Sequence, residues 1–418
     1  MAPPPARTGR LDVFLLDRRI GWLEYASPRN EMHFSYYPDY LSGPAPAPLS
    51  HSLPLQAEPF NTERTTVFFE NLLPPDSVRK KLGPILHISR HNIFGFLNAL
   101  GGDCAGAVSL WPSGQTPGAG KGRLHLLDEA ESLAVLHSLK KRPLYGGGLD
   151  GYRISGAGAQ NKLIARIVDG KIALPLFGMP STHIIKPPVE DYPDSVFNEL
   201  FAMRLAGRLG LRTAECGLLR LQGEAFYWTE RYDREMVDGE IRRLHQEDFC
   251  QALGISGELK YESEGGPSFK ACMEAMSAMR VSLADRLSFV DRMIFNFLIG
   301  NADAHGKNSS ILYRGGNGRG LAPIYDAMST AIYPGLSRVN AMSIGGAERF
   351  EDVRRDSFAA MAAEVGMRPA LVLSRLDTIC RKIGPLSQSL GEELSAEWPN
   401  PVYGKIRAVI ATHVAAVS

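Results

Sequence analysis

Ile299-Gly-Asn-Ala-Asp303-Ala-His305-Gly-Lys307-Asn308-Ser-Ser310, followed by Pro323-Ile-Tyr-Asp326, places an asparagine five positions after one aspartate and a second aspartate beyond a short hairpin pattern. Such an order fits phosphoryl transfer. That reaction asks little covalent work of a protein, which holds the acceptor hydroxyl in line, accepts its proton and neutralises charge on the phosphates. Asp303 is the candidate for the hydroxyl and its proton, and Asn308 and Asp326 are the candidates for Mg²⁺. Hard oxygen ligands suit that ion, which keeps most of its coordination for water and phosphate oxygens. No His and Cys cluster in the sequence competes for a softer metal.

The same spacing, D-x-x-x-x-N, occurs in the catalytic loop of protein kinases. Upstream, His183-Ile-Ile-Lys186 is a β-branched run ending in lysine, comparable to the strand lysine of V-A-I-K that reaches the α- and β-phosphates. Asp194 to Gly210 follows with apolar residues at helical spacing and a glycine at its end. Within it, Glu199 is placed either to pair with Lys186 or to face solvent. Ile154-Ser155-Gly156-Ala157-Gly158-Ala-Gln-Asn-Lys162 is a loop of small residues, whose backbone amides can approach phosphate oxygens closely. It is no Walker A loop. The literal G-x-G-x-x-G at Gly146, Gly148 and Gly151 lacks a preceding strand and a following helix and reads as a turn.

These blocks, with Glu230-Arg-Tyr232-Asp-Arg234, Gln246-Glu-Asp248 and Lys260-Tyr-Glu-Ser-Glu-Gly-Gly-Pro267, stand in the order found in the HipA serine/threonine kinase toxins of bacterial toxin–antitoxin modules, which the chain resembles. Phe34 to Leu41 and Phe68 to Pro75 resemble the small domain ahead of the kinase in that family, and the likeness thins after about Gly346. The resemblance implies that Lys186 meets the nucleotide phosphates, Asp303 is catalytic, and Asn308 and Asp326 bind Mg²⁺. It places Glu230 and Tyr232 at the adenine, and Ser155, Gly156, Ala157, Gly158, Lys162, His305 and Lys307 with the rest of the ATP site. Ser155 also matches the family's autophosphorylated serine. The implied partners are a helix-turn-helix antitoxin, through which operator DNA is met, and a protein substrate, an aminoacyl-tRNA synthetase such as glutamyl-tRNA synthetase. Tyr232 stands where phenylalanine is usual and Asn161 where glutamate is frequent, and neither change removes a charge the chemistry needs.

Global properties agree. A net charge of +1, from 46 basic and 45 acidic residues, provides no broad attraction to DNA or membrane. The five cysteines are dispersed without a C-x-x-C, which points to buried thiols in a reducing compartment. Without an apolar signal core or a membrane-length run, a cytoplasmic location is expected.

Leu11–Leu16 and Ile20–Tyr25 read as strands paired about Asp17-Arg-Arg19, with helices near Ser77–Leu82 and Ile93–Leu100 after a Pro-rich loop. Ser113 to Gly122 reads as a linker. Strands are expected from about 150 to 235 and helices afterwards, with Ser282-Leu-Ala-Asp285 capping one that delivers Asp303. A helical or simply polar insert is expected around Ser256 to Phe269, and tail helices over Phe358–Val365, Pro369–Lys382 and Val402–Val417.

The expected fold is α+β, a two-lobed protein-kinase-like architecture with a small N-terminal subdomain over 1–125, a nucleotide-binding part over 126–250 and a helical C-terminal lobe over 251–418. The alternatives are a small-molecule phosphotransferase with a closed acceptor pocket and a kinase-dead co-regulator of an operon.

Overall fold

The computed structural model describes residues 8–26, 31–117, 122–314 and 318–418. They form two compact units, the first of the described residues within 1–185, 233–247 and 254–258, the second of those within 186–232, 248–253 and 259–418. The fold is α+β.

In the first unit, β1 (Thr8–Leu15), β2 (Arg18–Ala26), β3 (Glu31–Tyr36) and β4 (Val108–Pro112) make an antiparallel sheet in the order β3-β2-β1-β4. The β1–β2 turn is made by Leu16 and Asp17, both at positive φ, and Arg18 already belongs to β2; the reversal thus falls slightly before the Asp17–Arg19 position expected. Apolar residues of β1 to β3, among them Val13, Leu23 and Phe34, pack with Phe68, Phe69, Phe96 and Leu97 from the helices Thr62–Glu70 and Ile93–Leu100. The helix expected near Ser77–Leu82 runs over Asp76–Leu86. Of the linker expected over Ser113–Gly122, residues 118–121 lie outside the described residues.

β5 (Arg123–Leu126), β6 (Leu163–Val168), β7 (Lys171–Leu176) and β8 (His183–Lys186) follow, with antiparallel pairs β5–β7, β6–β7 and β6–β8. The turn residues Gly148 and Gly151 lie against the Tyr145 and Phe177 rings, where a Cβ would come within 2.6 Å of ring carbons. Distant stretches close this unit by polar contacts. Asp103, 1% exposed, accepts from Ser181 Oγ at 2.6 Å, Arg234 Nη2 at 2.8 Å and Arg243 Nε at 3.2 Å. Glu247 accepts from Ser50 Oγ at 2.5 Å. Buried carboxylates persist only when satisfied in this way.

The second unit is built on the helix Leu283–Ile299. Ser282 caps it by accepting from the Asp285 amide, as expected, and Phe289, Val290, Ile294, Phe297 and Leu298 enter the core. Around it pack the helices Ser195–Arg208, Pro369–Glu397 and Val402–Val417. The helix expected to stop at Lys382 continues through Pro385 to Glu397, because Ile383, Leu390 and Leu394 keep its apolar face in the core. Burial of that face outweighs one missing amide donor. Where an insert is expected around Ser256 to Phe269, the chain makes only the short 3₁₀ turns Gly257–Leu259 and Glu262–Glu264 before the helix Phe269–Ala278 begins.

Candidate active site

β8 ends on Lys186, the first residue of the second unit. Its ammonium lies 2.6 Å from Glu199 Oε1 and 2.5 Å from Asp326 Oδ1. The alternative left open for Glu199 is thereby decided: it is buried on the helix Ser195–Arg208 and paired. Burial alone would favour the neutral amine, but Asp326 and Glu199 more than offset it, and the ammonium is held above its ordinary range. Asp326 is reached by a segment pinned at both ends. Ile324 bridges to Thr213, and the Asn198 amide takes both the Ser329 N–H and C=O at 2.8 and 2.9 Å. Asp326 itself is left-handed, at φ +56°, with a side chain 42% exposed beside a lysine only 5% exposed.

Asp303 is delivered by the core helix through Gly300, which caps it at φ +68°. A Cβ at Gly300 would come within 2.5 Å of Ala331 Cβ, so both space and conformation require glycine. Beyond it, Thr330 Oγ1 accepts from the Ala302 amide at 2.8 Å and Asn301 Oδ1 accepts from the Asp303 amide at 3.1 Å. Asn308 Nδ2 donates to the Asp303 carbonyl at 2.7 Å, which ties together the two ends of D-x-x-x-x-N. The Asp303 carboxylate stays 45% exposed. Its Oδ1 accepts from the Tyr261 hydroxyl and lies 3.6 Å from His305 Nε2. His305 is buried, and burial drives its pKa down to about 4. Lys307 Nζ is 2.7 Å from Asp248 Oδ2, and the Tyr325 hydroxyl donates to the Lys307 carbonyl at 2.7 Å. Asp326 is among the charges that act on Tyr261 and His305.

The oxygens of Asn308 and Asp326 suit a hard divalent cation such as Mg²⁺. Because the Asn308 amide nitrogen is engaged, its hard carbonyl oxygen is the end left for a cation, and Asp326 adds a carboxylate in reach of solvent. Among the described residues no group of three or more His, Cys, Asp or Glu is arranged to hold a metal. Glu230 ends the strand Glu224–Glu230 and Tyr232 follows it; the Tyr232 ring packs on Tyr325 at 5.1 Å, and burial and Glu215 raise the Glu230 pKa. The remaining predicted residues lie in the first unit. There, Ser155 is buried with its hydroxyl 2.6 Å from the Leu72 carbonyl, and Lys162 Nζ caps the Ala157 and Gly158 carbonyls at 2.5 and 3.1 Å.

Comparison with known proteins gives two family matches, the HipA N-terminal domain over residues 11–111 and the HipA-like C-terminal domain over residues 154–385. The chain belongs to the HipA family. The serine/threonine-protein kinase toxin HipA of Shewanella oneidensis is 30% identical over 398 residues, covering 90% of this chain and 88% of that protein. A Sinorhizobium fredii protein named as a candidate kinase, Y4mE, is 43% identical over 377 residues, 88% of this chain and 89% of its own. Among solved structures, HipA in the Shewanella oneidensis complex of HipA, HipB and operator DNA superposes with a TM-score of 0.83 at 28% identity, covering 97% of this chain and 95% of that one.

Two polar residues of this HipA-family site carry no role in the sequence reading, Tyr261 and Asp248. Both lie in blocks that mark the family, but their partners, Asp303 and Lys307, are 42 and 59 residues away in the chain. The only local signal is the density of polar residues and glycine after Lys260. Among the described residues no helix is long and apolar enough to cross a membrane.

Proposed function

We propose that the protein is an ATP-dependent serine/threonine-protein kinase, with Asp303 facing the acceptor hydroxyl. The observation that carries this reading is that the second unit holds both the Lys186–Glu199–Asp326 triad and the solvent-accessible Asp303 carboxylate with its Asn308 amide, Asp326 being among the charges that act on Tyr261 and His305 beside Asp303. Bound Mg-ATP supplies the phosphoryl group and the charge neutralisation. Asp303 holds the acceptor hydroxyl in line and takes its proton at the carboxylate. Asn308 and Asp326 present oxygens for the cation, and Lys186, kept charged by Asp326 and Glu199, presents its ammonium to the phosphates.

The family supports the finer features of the proposal. A protein serine or threonine is the acceptor, with an aminoacyl-tRNA synthetase as the cellular substrate whose modification slows translation. A HipB-like antitoxin is the partner through which operator DNA is met. Ser155 is the self-inactivating autophosphorylation site; its hydroxyl is buried against the Leu72 carbonyl, so the loop Ile154–Lys162 has to open before that hydroxyl can accept phosphate.

The test is label transfer from [γ-³²P]ATP with Mg²⁺. Asp303→Asn should lower the rate about 10²- to 10⁴-fold while nucleotide affinity is kept, since a proton acceptor is lost and shape is not. Transfer by this variant at the wild-type rate refutes the assignment. Transfer only to small metabolites, with no protein labelled, favours the phosphotransferase alternative.

A further inference from the structure

The reading of Asp303 leaves one neighbour without a task. The Tyr261 hydroxyl donates to Asp303 Oδ1, the same oxygen that faces His305 Nε2, so Oδ2 is the oxygen left toward an acceptor. This contact is built into the loop rather than reached by a wandering side chain. The Gly306 amide donates to the Lys260 carbonyl at 3.2 Å, tying the residue before Tyr261 to the catalytic loop. Gly306 also packs against Pro267, where a Cβ would lie 2.5 Å from the ring. On the other side, Glu262 accepts from the Ser343 amide at 2.5 Å and from its hydroxyl at 3.2 Å. Gly266 closes the loop by donating to the Tyr261 carbonyl at 2.8 Å, in a place where a Cβ would come within 2.2 Å of the Leu259 carbonyl oxygen.

The ring is fixed as well. It meets the His305 imidazole edge to face, with centroids 5.2 Å apart, and the Lys260 ammonium lies 5.1 Å from its centroid. Burial and the Asp303 charge both disfavour the phenolate, so the hydroxyl remains a donor throughout the working range.

We propose that Tyr261 is a positioning residue for phosphoryl transfer: its phenol fixes the Asp303 carboxylate through Oδ1 and so aims Oδ2 at the acceptor hydroxyl. The proposal rests on the reading of Asp303 given above. Orientation at this carboxylate matters because transfer rates fall steeply when a reacting group is misplaced by an ångström. Tyr261 acts through Asp303 and takes no proton itself.

The test uses the full chain, Mg²⁺ and [γ-³²P]ATP, following label incorporated into the chain and phosphate released to water. Tyr261→Phe keeps the ring and its packing and removes only the donor. Its kcat should fall about tenfold while KM for ATP stays within about twofold. On an Asp303→Asn background the same change should have no further effect on the residual rate, because the group it positions is already gone. A Tyr261→Phe rate equal to or above the wild type overturns the proposal, the latter result marking the phenol as a plug in the acceptor's place. A loss expressed in KM for ATP, or repeated in full on the Asp303→Asn background, overturns it too, in favour of a general structural role. Asp303→Asn at the wild-type rate, or a wild type that transfers to neither acceptor, overturns the underlying assignment of Asp303 itself.

Discussion

Replacing Lys186 by methionine keeps the volume of the side chain and removes its charge, which isolates what the ammonium does for Glu199. The Glu199 side chain is 2% exposed and the lysine 5%, so the variant leaves a carboxylate in the interior without the cation 2.6 Å away that balanced it. Removing one partner of a buried pair costs about 3–5 kcal/mol. The second carboxylate, Asp326, is 42% exposed and can be hydrated, so its lost pairing adds less than about 1 kcal/mol. Lys186→Met/Glu199→Gln removes the stranded charge together with the cation and should return to within about 1–2 kcal/mol of the wild type. Since the chain has two compact units, the measurement is amide hydrogen exchange along the helix Ser195–Arg208 in increasing urea, which reports the second unit directly. The pH dependence follows from the raised pKa of Lys186. Stability from the charged amine is fully present below its unfolded value of 10.5 and is lost as pH rises toward the higher folded value, so the gap between wild type and Lys186→Met should be level at neutral pH and narrow only above about 10.5. A single variant as stable as the wild type, or a double variant as unstable as the single, refutes the reasoning.

Two further outcomes are expected. His305 has its pKa lowered from 6.5 to about 4 by burial, so the folded protein binds fewer protons than the unfolded chain between those values, and stability should fall as pH drops through them by up to about 3 kcal/mol. His305→Gln should remove that share of the acid limb, and urea midpoints that keep a constant difference between the two proteins from pH 7 to about pH 4 would contradict it. Ser155→Glu forces a charge into a position 1% exposed and breaks the hydrogen bond to Leu72, which should cost about 3 kcal/mol or more and open the Ile154–Lys162 loop to proteolysis. Cleavage of that loop no faster than in the wild type argues against the buried placement.

The parts of the site legible in the sequence are those whose chemistry is local. Asp303 and Asn308 sit in one turn closed by a side-chain bond to the Asp303 carbonyl, so their spacing is itself the structure. Lys186 and Glu199 end a strand and ride the next helix, which periodicity finds, but only the fold shows that Glu199 turns inward to the lysine rather than to solvent. Tyr261 escaped because its value lies in a hydroxyl reaching Asp303 from a loop without periodicity. The helix after Pro369 escaped for a different reason. A proline predicts an end, and only the distant core facing Ile383, Leu390 and Leu394 shows why it fails to stop the helix. Nor does any local pattern reveal that residues 233–247 and 254–258 return to the first unit, since that is decided by partners such as Asp103 and Ser50.

The hydrogen bonds of Asp103 also set a timetable for the nascent chain. Its partners emerge late: Ser181 is made 78 residues after it, Arg234 131 residues after and Arg243 140 residues after. At a synthesis rate of roughly 5–20 residues per second, the N-terminal sheet and helices can collapse seconds before the cations that neutralise this carboxylate exist. Until then the aspartate has to stay hydrated, which keeps that region of the first unit open. Arg243 precedes Asp303 in the chain, so the ribosome delivers the last of these cations before it delivers Asp303.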